Sequence, residues 1–431
     1  MDGAECPEQW WEVVAKHGCL VRSGVELTSA EVATFDRGAL LRVDEAATAH
    51  AGTMRLRIRE PVEGWISRKC VVCVGAAPMQ PQGRWAHDVA ESGVARWAVR
   101  TESWSPVGGD QGPEWAFLVS LINEATERAG VAQYVRFEDK VRALLSRLLA
   151  RRCCSLAMRL KHHDVEISRT KGRKPFLSAS SRGRAKAAGK PNFNFNVSHE
   201  GAYVVLASEP VVIVGVDVAA PEQFRRGGEF DAVAFFATMK DMLSVKEWGH
   251  VRMCGDAKFQ AERFRCFWSC KEAFTKARGD GLAFGLGKAE FDILVEEGPT
   301  LKFTATVSVN GLQLPLWRFD GIEITDGHVV TVSRGPPEDV VDAQGAFSGT
   351  CVEAWRRSLF QKLGPKTQPK RSFAKPFLSA GDFAAAEPAF DVLSVRDLVP
   401  EARLADYDAA VLRGAAPDGN PQPCPPPPPP R

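Results

Sequence analysis

The run FNVSHEGAYVVLASEPVVIVGVDVA, Phe195 to Ala219, constrains the fold more than any other part of the chain. It holds two apolar strand-length segments, Ala202–Ala207 and Val211–Val216, joined by the turn-forming Ser208–Pro210. Ser198 and His199 stand at the entry of the first, and Asp217 at the exit of the second. An unpaired carboxylate closing a buried strand is costly. Asp217 therefore caps a turn, pairs with a cation or serves a ligand. Just upstream, Phe193 and Phe195 alternate with Asn192, Asn194 and Asn196 in strand fashion, after which Ser198 and His199 are expected to leave the strand with donors free. Adjacent side chains on extended backbone point apart. A Ser-His nucleophile pair is excluded on that ground, and ligand contact is the expectation.

The 431 residues leave room for two or three domains, and a hydrophobic fraction of 45% suffices for real cores. No apolar run approaches the roughly 18 residues that a membrane span needs. The opening MDGAECPEQWWEVV lacks a signal or transit pattern. Eleven cysteines are scattered, with Cys153-Cys154 adjacent and Cys266 and Cys270 four apart, and no zinc-site spacing. They read as reduced thiols filling cores in a cytoplasmic protein. The net charge of +2 hides an asymmetry, because Arg128 to Lys190 carries seventeen Lys and Arg against four Asp and Glu. Such a block is a solvated helix face, or the footprint of a polyphosphate, a nucleic acid or an acidic protein.

Three textures divide the chain. Residues 20–75 show short strand-like runs, GALLRVDEA, TMRLRIREP and GWISRKCVVCV, which resemble an SH3-like barrel closing on Gly64-Trp65-Ile66-Ser67. Residues 1–19 precede it as an N-terminal segment, and a Pro/Gly/Gln linker follows over 76–93. The main body spans 94–334. One helix is expected with Phe137, Leu144, Leu145, Leu148 and Leu149 on its apolar face. Another covers RFRCFWSCKEAFTKARGDG, ended by Gly279 and Gly281. Four strand candidates follow: AEFDILVEE, LKFTATVSV, WRFDGIEIT and HVVTVSR. Residues 335–431 form a Pro-rich tail expected to be mostly disordered, in which Phe390–Leu398 has enough apolar residues to dock on the body. The final hexaproline favours polyproline II, as a spacer or as a ligand for an SH3-like module.

Glu272 and Lys276 lie four apart on one helix face, which by itself is an ordinary ion pair. Combined with Asp217, the two acids suit a hard cation such as Mg²⁺, which takes one or two carboxylates plus substrate phosphates. A lysine beside them would neutralise phosphate oxygens. In ISRTKGRKPFL, Arg169, Lys171, Arg173 and Lys174 surround Gly172, which lets backbone approach an anion closely. As a bland alternative this is a basic surface loop.

The ordered series RTKGRKP, FNVSHEG, VGVDVA and FWSCKEAFTKARGDGL resembles the Sfp-type 4′-phosphopantetheinyl transferases, closest to the aminoadipate-semialdehyde dehydrogenase phosphopantetheinyl transferase branch. The likeness takes in RWAVRTESW and LSVKEW and covers about residues 94–334. It implies an α+β fold of two pseudo-symmetric lobes, 94–207 and 208–334, each with helices on a mostly antiparallel sheet and coenzyme A between them. It further implies Mg²⁺ on Asp217 and Glu272, with Lys276 on the pyrophosphate and Glu272 taking the proton of the acceptor serine. The coenzyme contacts it implies are Arg169, Thr170, Lys171, Gly172, Arg173, Lys174, Asn196, Val197, Ser198, His199, Lys271 and Lys276, with Arg128 matching a phosphate-binding arginine. Many members carry a second acid two residues after the Asp. Here that position is Ala219, as in the branch this chain most resembles.

The implied reaction is transfer of 4′-phosphopantetheine from coenzyme A to a serine of an apo acyl- or peptidyl-carrier protein, releasing 3′,5′-ADP, by a monomer acting without nucleic acid or membrane. A transferase-like interaction protein that has lost catalysis is the alternative. A nucleic-acid binder is disfavoured because the basic block lacks interleaved aromatics for stacking.

Overall fold

The computed structural model describes residues 5–13, 15, 19–35, 40–49, 53–60, 63–75, 84–170, 172–178, 180–181, 190, 192–221, 232–341 and 386–415. Lys171 and the hexaproline fall outside them. The chain divides into two units, Met1–Arg84 and Trp85–Arg431.

The first unit has seven strands: β1 (Glu5–Val13), β2 (Cys19–Arg22), β3 (Glu31–Phe35), β4 (Leu40–Thr48), β5 (Met54–Glu60), β6 (Gly64–Ser67) and β7 (Val71–Gly75). They pair in the order β3-β2-β6-β5-β4-β1-β7. Alternate residues Leu41, Val43, Leu56, Ile58 and Ile66 are buried with Val13, Val21 and Val71, the period-two pattern of a sheet with one face inward. The sheet also takes in residues of the expected N-terminal segment 1–19. Strand β1 lies inside the sheet because Trp10–Val13 pairs with β7 on one side and β4 on the other. Among the described residues the path is open, and no pairing closes it into the expected SH3-like barrel.

In the second unit, β8 (Ala95–Arg100), β11 (Asn194–Glu200), β12 (Tyr203–Glu209) and β19 (Asp391–Leu393) form a sheet in the order β11-β12-β8-β19. A hairpin of β9 (Ile167–Arg169) and β10 (Pro175–Leu177) stands apart from it. Four helices accompany this sheet: α1 (Arg84–Ser92), α2 (Pro113–Ser120), α3 (Ala125–Ala132) and α4 (Phe137–Ala157). Val141, Leu144, Leu145, Leu148 and Leu149 bury one stripe of α4, at helical spacing, against Trp97, Phe195, Val204 and Leu206.

The second sheet comprises β13 (Ile213–Ala219), β14 (Ala289–Val295), β15 (Lys302–Val309), β16 (Leu312–Gln313), β17 (Arg318–Glu323) and β18 (Val329–Gly335). Its order is β13-β18-β17-β15-β14, antiparallel throughout, with β16 on β15. The four alternating runs after residue 288 are β14, β15, β17 and β18. Two shorter helices, α5 (Ala232–Thr238) and α6 (Val245–Arg252), lead into α7 (Ala257–Arg278), which packs on β13 and β18. Asp256 starts α7 by accepting the Lys258 and Phe259 N–H groups, and Gly279 ends it at φ +86°.

Strand β12 is buried at every position because both its faces are covered. Val204 and Leu206 face the helices, whereas Tyr203, Val205 and Ala207 pack on Val214, Val216, Val218, Val330 and Val332 of the second sheet.

Within the tail, residues 386–415 fold onto the body, the expected docking patch Phe390–Leu398 among them. Strand β19 (Asp391–Leu393) pairs in parallel with β8, and α8 (Leu404–Ala415) packs on α2. Leu393, Val395, Leu398, Val399, Tyr407 and Ala410 are part of the first sheet's core. Apolar residues on the helical and turn spacing of this stretch outweighed its low aromatic density. Cys153, Cys154, Cys266 and Cys270 are free and buried, and burial pushes the Cys153 and Cys266 thiols up to about 12. Among the described residues no helix is long and apolar enough to cross a membrane.

Candidate functional site

The site forms where the edge strands of the two sheets, β11 and β13, run side by side. Side chains join them. Asn194 Oδ1 accepts from Val214 N at 2.9 Å, Asn196 Oδ1 from Val216 N at 3.0 Å and Ser198 Oγ from Val218 N at 3.4 Å. A buried strand edge cannot leave its N–H groups unmet. The every-second-residue pattern Asn194, Asn196, Ser198 supplies the acceptors from the face of β11 that looks at β13. Asn196, expected at the coenzyme, is 3% exposed and its oxygen is occupied in this seam. Ser198 and His199 do not leave the strand, which continues through Glu200. Pleat alternation sends them to opposite faces.

Ser198 faces the second sheet. Lys276 Nζ on α7 lies 2.8 Å from Ser198 Oγ and 2.5 Å from Asp217 Oδ1, and Ser198 Oγ donates to Asp217 Oδ1 at 3.1 Å. Three elements meet here because Gly215, two residues before Asp217, has no side chain. A Cβ there would stand 2.1 Å from the Ala273 carbonyl oxygen and 2.5 Å from Ala277 N, so any other residue would push α7 away. Asp217 is 4% exposed, and its Oδ2 is buried without a hydrogen-bond partner. Glu272 lies one turn before Lys276 and is half-buried. Burial raises its carboxyl pKa, Lys276 opposes that rise and Asp217 adds to it. An orphaned carboxylate oxygen beside a second, partly desolvated carboxylate fits a hard divalent cation. Among the described residues no three His, Cys, Asp or Glu side chains stand close enough to enclose an ion, so the pair would need ligand or water oxygens to complete a shell. Ala219 is fully buried at the end of β13.

His199 faces the α4 side. Solvent reaches the imidazole, yet it lies in a recess where burial, then Lys276, Arg142 and Arg147, hold its pKa down to about 4. Arg142 donates to Gly201 O at 2.7 Å and pins the β11–β12 turn. Glu127 collects two cations, with Arg147 Nε at 2.7 Å and Arg169 Nε at 3.5 Å. Arg128, expected to meet phosphate, instead donates to Ile122 O at 2.6 Å and Asn123 O at 2.7 Å. Arg142 and Arg147 were missed by the sequence reading. Alternation along β11 was the available signal, since it places His199 on the helix side of the sheet.

The basic loop divides likewise. Thr170 is buried and closes the turn, with its N–H donating to Lys174 O at 2.9 Å and its Oγ1 accepting from Lys174 N at 3.0 Å. Gly172 is packed against the end of α7, where a Cβ would come within 1.8 Å of Gly279 O. Arg169, Gly172 and Arg173 are exposed. Lys174, expected to contact the coenzyme, supports the end of α7. It is 3% exposed, and its Nζ donates to Val214 O at 2.8 Å and to Lys276 O at 3.3 Å, neutralising carbonyls near the C-terminus of α7. Lys271, also expected at the coenzyme, lies among core groups. It is wholly buried, 2.9 Å from Glu247 Oε2, and donates to Leu286 O and Ala289 O. Val197 is half-buried against the first sheet's core.

Comparison with known proteins covers both sheets. Residues 102–211 match the family model described as 4′-phosphopantetheinyl transferase, N-terminal, and residues 213–332 match that of the 4′-phosphopantetheinyl transferase superfamily. The chain is 32% identical over 246 residues to the L-aminoadipate-semialdehyde dehydrogenase-phosphopantetheinyl transferase of Mus musculus, covering 56% of this chain and 75% of that protein. The Homo sapiens protein of the same name gives the same identity and coverage. A phosphopantetheinyl transferase of Thraustochytrium sp. is 34% identical over 245 residues, covering 56% of this chain and 78% of that protein. With both halves of the body matched in order, the chain belongs to the 4′-phosphopantetheinyl transferase family and is an enzyme of that class.

Proposed function

We propose that the chain transfers 4′-phosphopantetheine from coenzyme A to a serine of an apo acyl- or peptidyl-carrier protein in the presence of Mg²⁺, releasing 3′,5′-ADP. The observation that carries this is the buried Asp217, with one carboxylate oxygen bound by Lys276 and Ser198 and the other unpartnered beside Glu272. Asp217 and Glu272 would hold the Mg²⁺, which supplies positive charge against phosphate oxygens. Lys276 carries a cation already desolvated on one side, suited to a pyrophosphate oxygen. Its contacts with Ser198 and Asp217 hold it in place before any ligand arrives. Glu272 accepts the proton of the attacking serine hydroxyl. Its raised pKa brings the carboxylate closer to the basicity that this transfer needs. Arg147 acts on His199 and shares Glu127 with Arg169, and this group, with the exposed Arg173 of the same basic loop, suits the remaining phosphate of the coenzyme. Neutral when free, His199 can take up a proton as an anion binds.

The test is intact-mass spectrometry of a broad-specificity apo carrier protein incubated with the chain, coenzyme A and Mg²⁺. The expected result is a gain of one phosphopantetheine, lost without Mg²⁺ and in Asp217→Ala and Glu272→Ala variants that melt like the parent. No gain across several carriers, with coenzyme A also failing to bind, would overturn the reading in favour of an interaction protein.

A further inference from the structure

Residues 386–415 lie beyond both family-matched spans, yet one of their carboxylates touches both sheets of the transferase body. Glu387 Oε1 accepts from Arg96 Nε, and Glu387 Oε2 accepts from Arg96 Nη2 at 3.1 Å and lies 3.4 Å from Arg334 Nε. Arg96 is on β8 of the first sheet, and Arg334 on β18 of the second. Each arginine has a partner on its own sheet as well. Arg96 Nη2 reaches Glu209 Oε1 at 2.5 Å, and Arg334 Nη2 reaches Asp320 Oδ2 at 3.0 Å. The side chains of Arg96 and Arg334 are 0% and 3% exposed and that of Glu387 only 14%, so the chain of charges is screened little by solvent. Burial pulls the Arg96 guanidinium toward neutrality, and Glu387 followed by Glu209 more than reverses it.

From this network we infer that Glu387 is a positioning residue, a latch through which the C-terminal strap sets the spacing of the two sheets and thereby the width of the coenzyme cleft. Glu209 reaches Arg96 but not Arg334, and Asp320 reaches Arg334 and Arg318 on its own sheet, whereas Glu387 joins Arg96 to Arg334. Arg334 is the register partner of Val214, whose N–H opens the β11–β13 seam at Asn194. Asp217 lies three residues further along the same strand, opposite Thr331. Strand β19, paired residue for residue with Trp97, Ala98 and Val99, anchors the strap that presents Glu387. A loosened latch therefore lets β13 shift against β11 along the line that carries Ser198 and Asp217. The consequence for catalysis rests on the function proposed above. The coenzyme would span groups on both sheets, whereas Asp217, Glu272 and Lys276 belong to the second sheet and its helix. Binding should suffer more than the chemical step.

The test compares Glu387→Gln and Glu387→Asp with Tyr407→Phe in the full chain. Tyr407→Phe removes the 2.6 Å bond from Tyr407 Oη to Glu114 and weakens the strap without touching the network. Hydrogen exchange over residues 213–219 should accelerate in Glu387→Gln, partly recover in Glu387→Asp and stay unchanged in Tyr407→Phe. On the function reading, the KM for coenzyme A should rise about tenfold in Glu387→Gln with kcat nearly unchanged. Unaltered seam exchange in a folded Glu387→Gln protein would overturn the latch. So would acceleration spread evenly over the chain, with kcat and KM falling together. Faster seam exchange in Glu387→Gln, together with a parent that binds no coenzyme A, would uphold the latch while removing the proposed function. Should Glu387→Gln not fold, Glu387→Asp alone decides by the same exchange readout.

Discussion

Replacing Lys271 by methionine separates a structural role from a ligand role for this signature lysine. The substitution keeps an unbranched side chain of similar length and deletes the charge. It leaves Glu247 wholly buried, still accepting from Ser244 N at 2.7 Å and Phe291 N at 2.8 Å, but without its cation. The carbonyls of Leu286 and Ala289 lose a donor as well. Breaking a buried pair by removing one partner costs about 3–5 kcal/mol. At about 2–4 °C per kcal/mol for a unit of this size, Tm should fall on the order of 6–20 °C. The assay is calorimetry of the full chain at pH 7, with coenzyme A affinity measured by titration on the same samples below the transition. Adding Glu247→Gln to Lys271→Met should restore part of the loss, because a neutral amide is cheaper to bury than a lone carboxylate. A Tm within about 2 °C of the parent together with weakened coenzyme binding would refute the reasoning and return Lys271 to the ligand.

Two further perturbations test the site's support. Gly215→Ala drives a methyl group into the α7 backbone, so stability should drop by about 1–3 kcal/mol in urea unfolding and transfer activity should fall more steeply than stability; unchanged activity would show that the close approach is not what seats Lys276. His162 has its pKa lowered to about 4, by burial first and then by Arg151 and Arg152, and its Nε2 is buried without a partner. Because the folded value lies below the unfolded value, this neutral imidazole contributes stability that is present above about pH 6.5 and is lost as pH falls toward 4. His162→Gln should make that decline shallower by up to about 1.4 kcal/mol per pH unit, and an identical pH–stability slope would rule the assignment out.

Much of the second unit was legible because its local signals agree. Alternation marked β14, β15, β17 and β18, and Gly279 marked the end of α7, whose start at Ala257 lies six residues before the expected Arg263. The convergence of Ser198, Asp217 and Lys276 was approachable from motif order, although no local rule sets their distances. The basic residues were harder. Arg169, Lys174 and Lys271 look alike in sequence, but one is exposed, one supports a helix end and one is sealed in a core. Which fate each lysine or arginine meets depends on the carbonyls and carboxylates that packing brings to it.

The same division runs through the whole chain. Residue order by itself determined the periodicities, the caps, the glycine that admits α7 and the acids available to hold a cation. These are properties of neighbours within a few residues of one another. Tertiary structure alone decided that Asn196 joins two strand edges, that Arg142 and Arg147 stand near His199, and that the C-terminal strap completes the first sheet. The physical reason is that a buried polar group is worth whatever partner it finds, and those partners lie far away in sequence: Glu387 is 291 residues from Arg96.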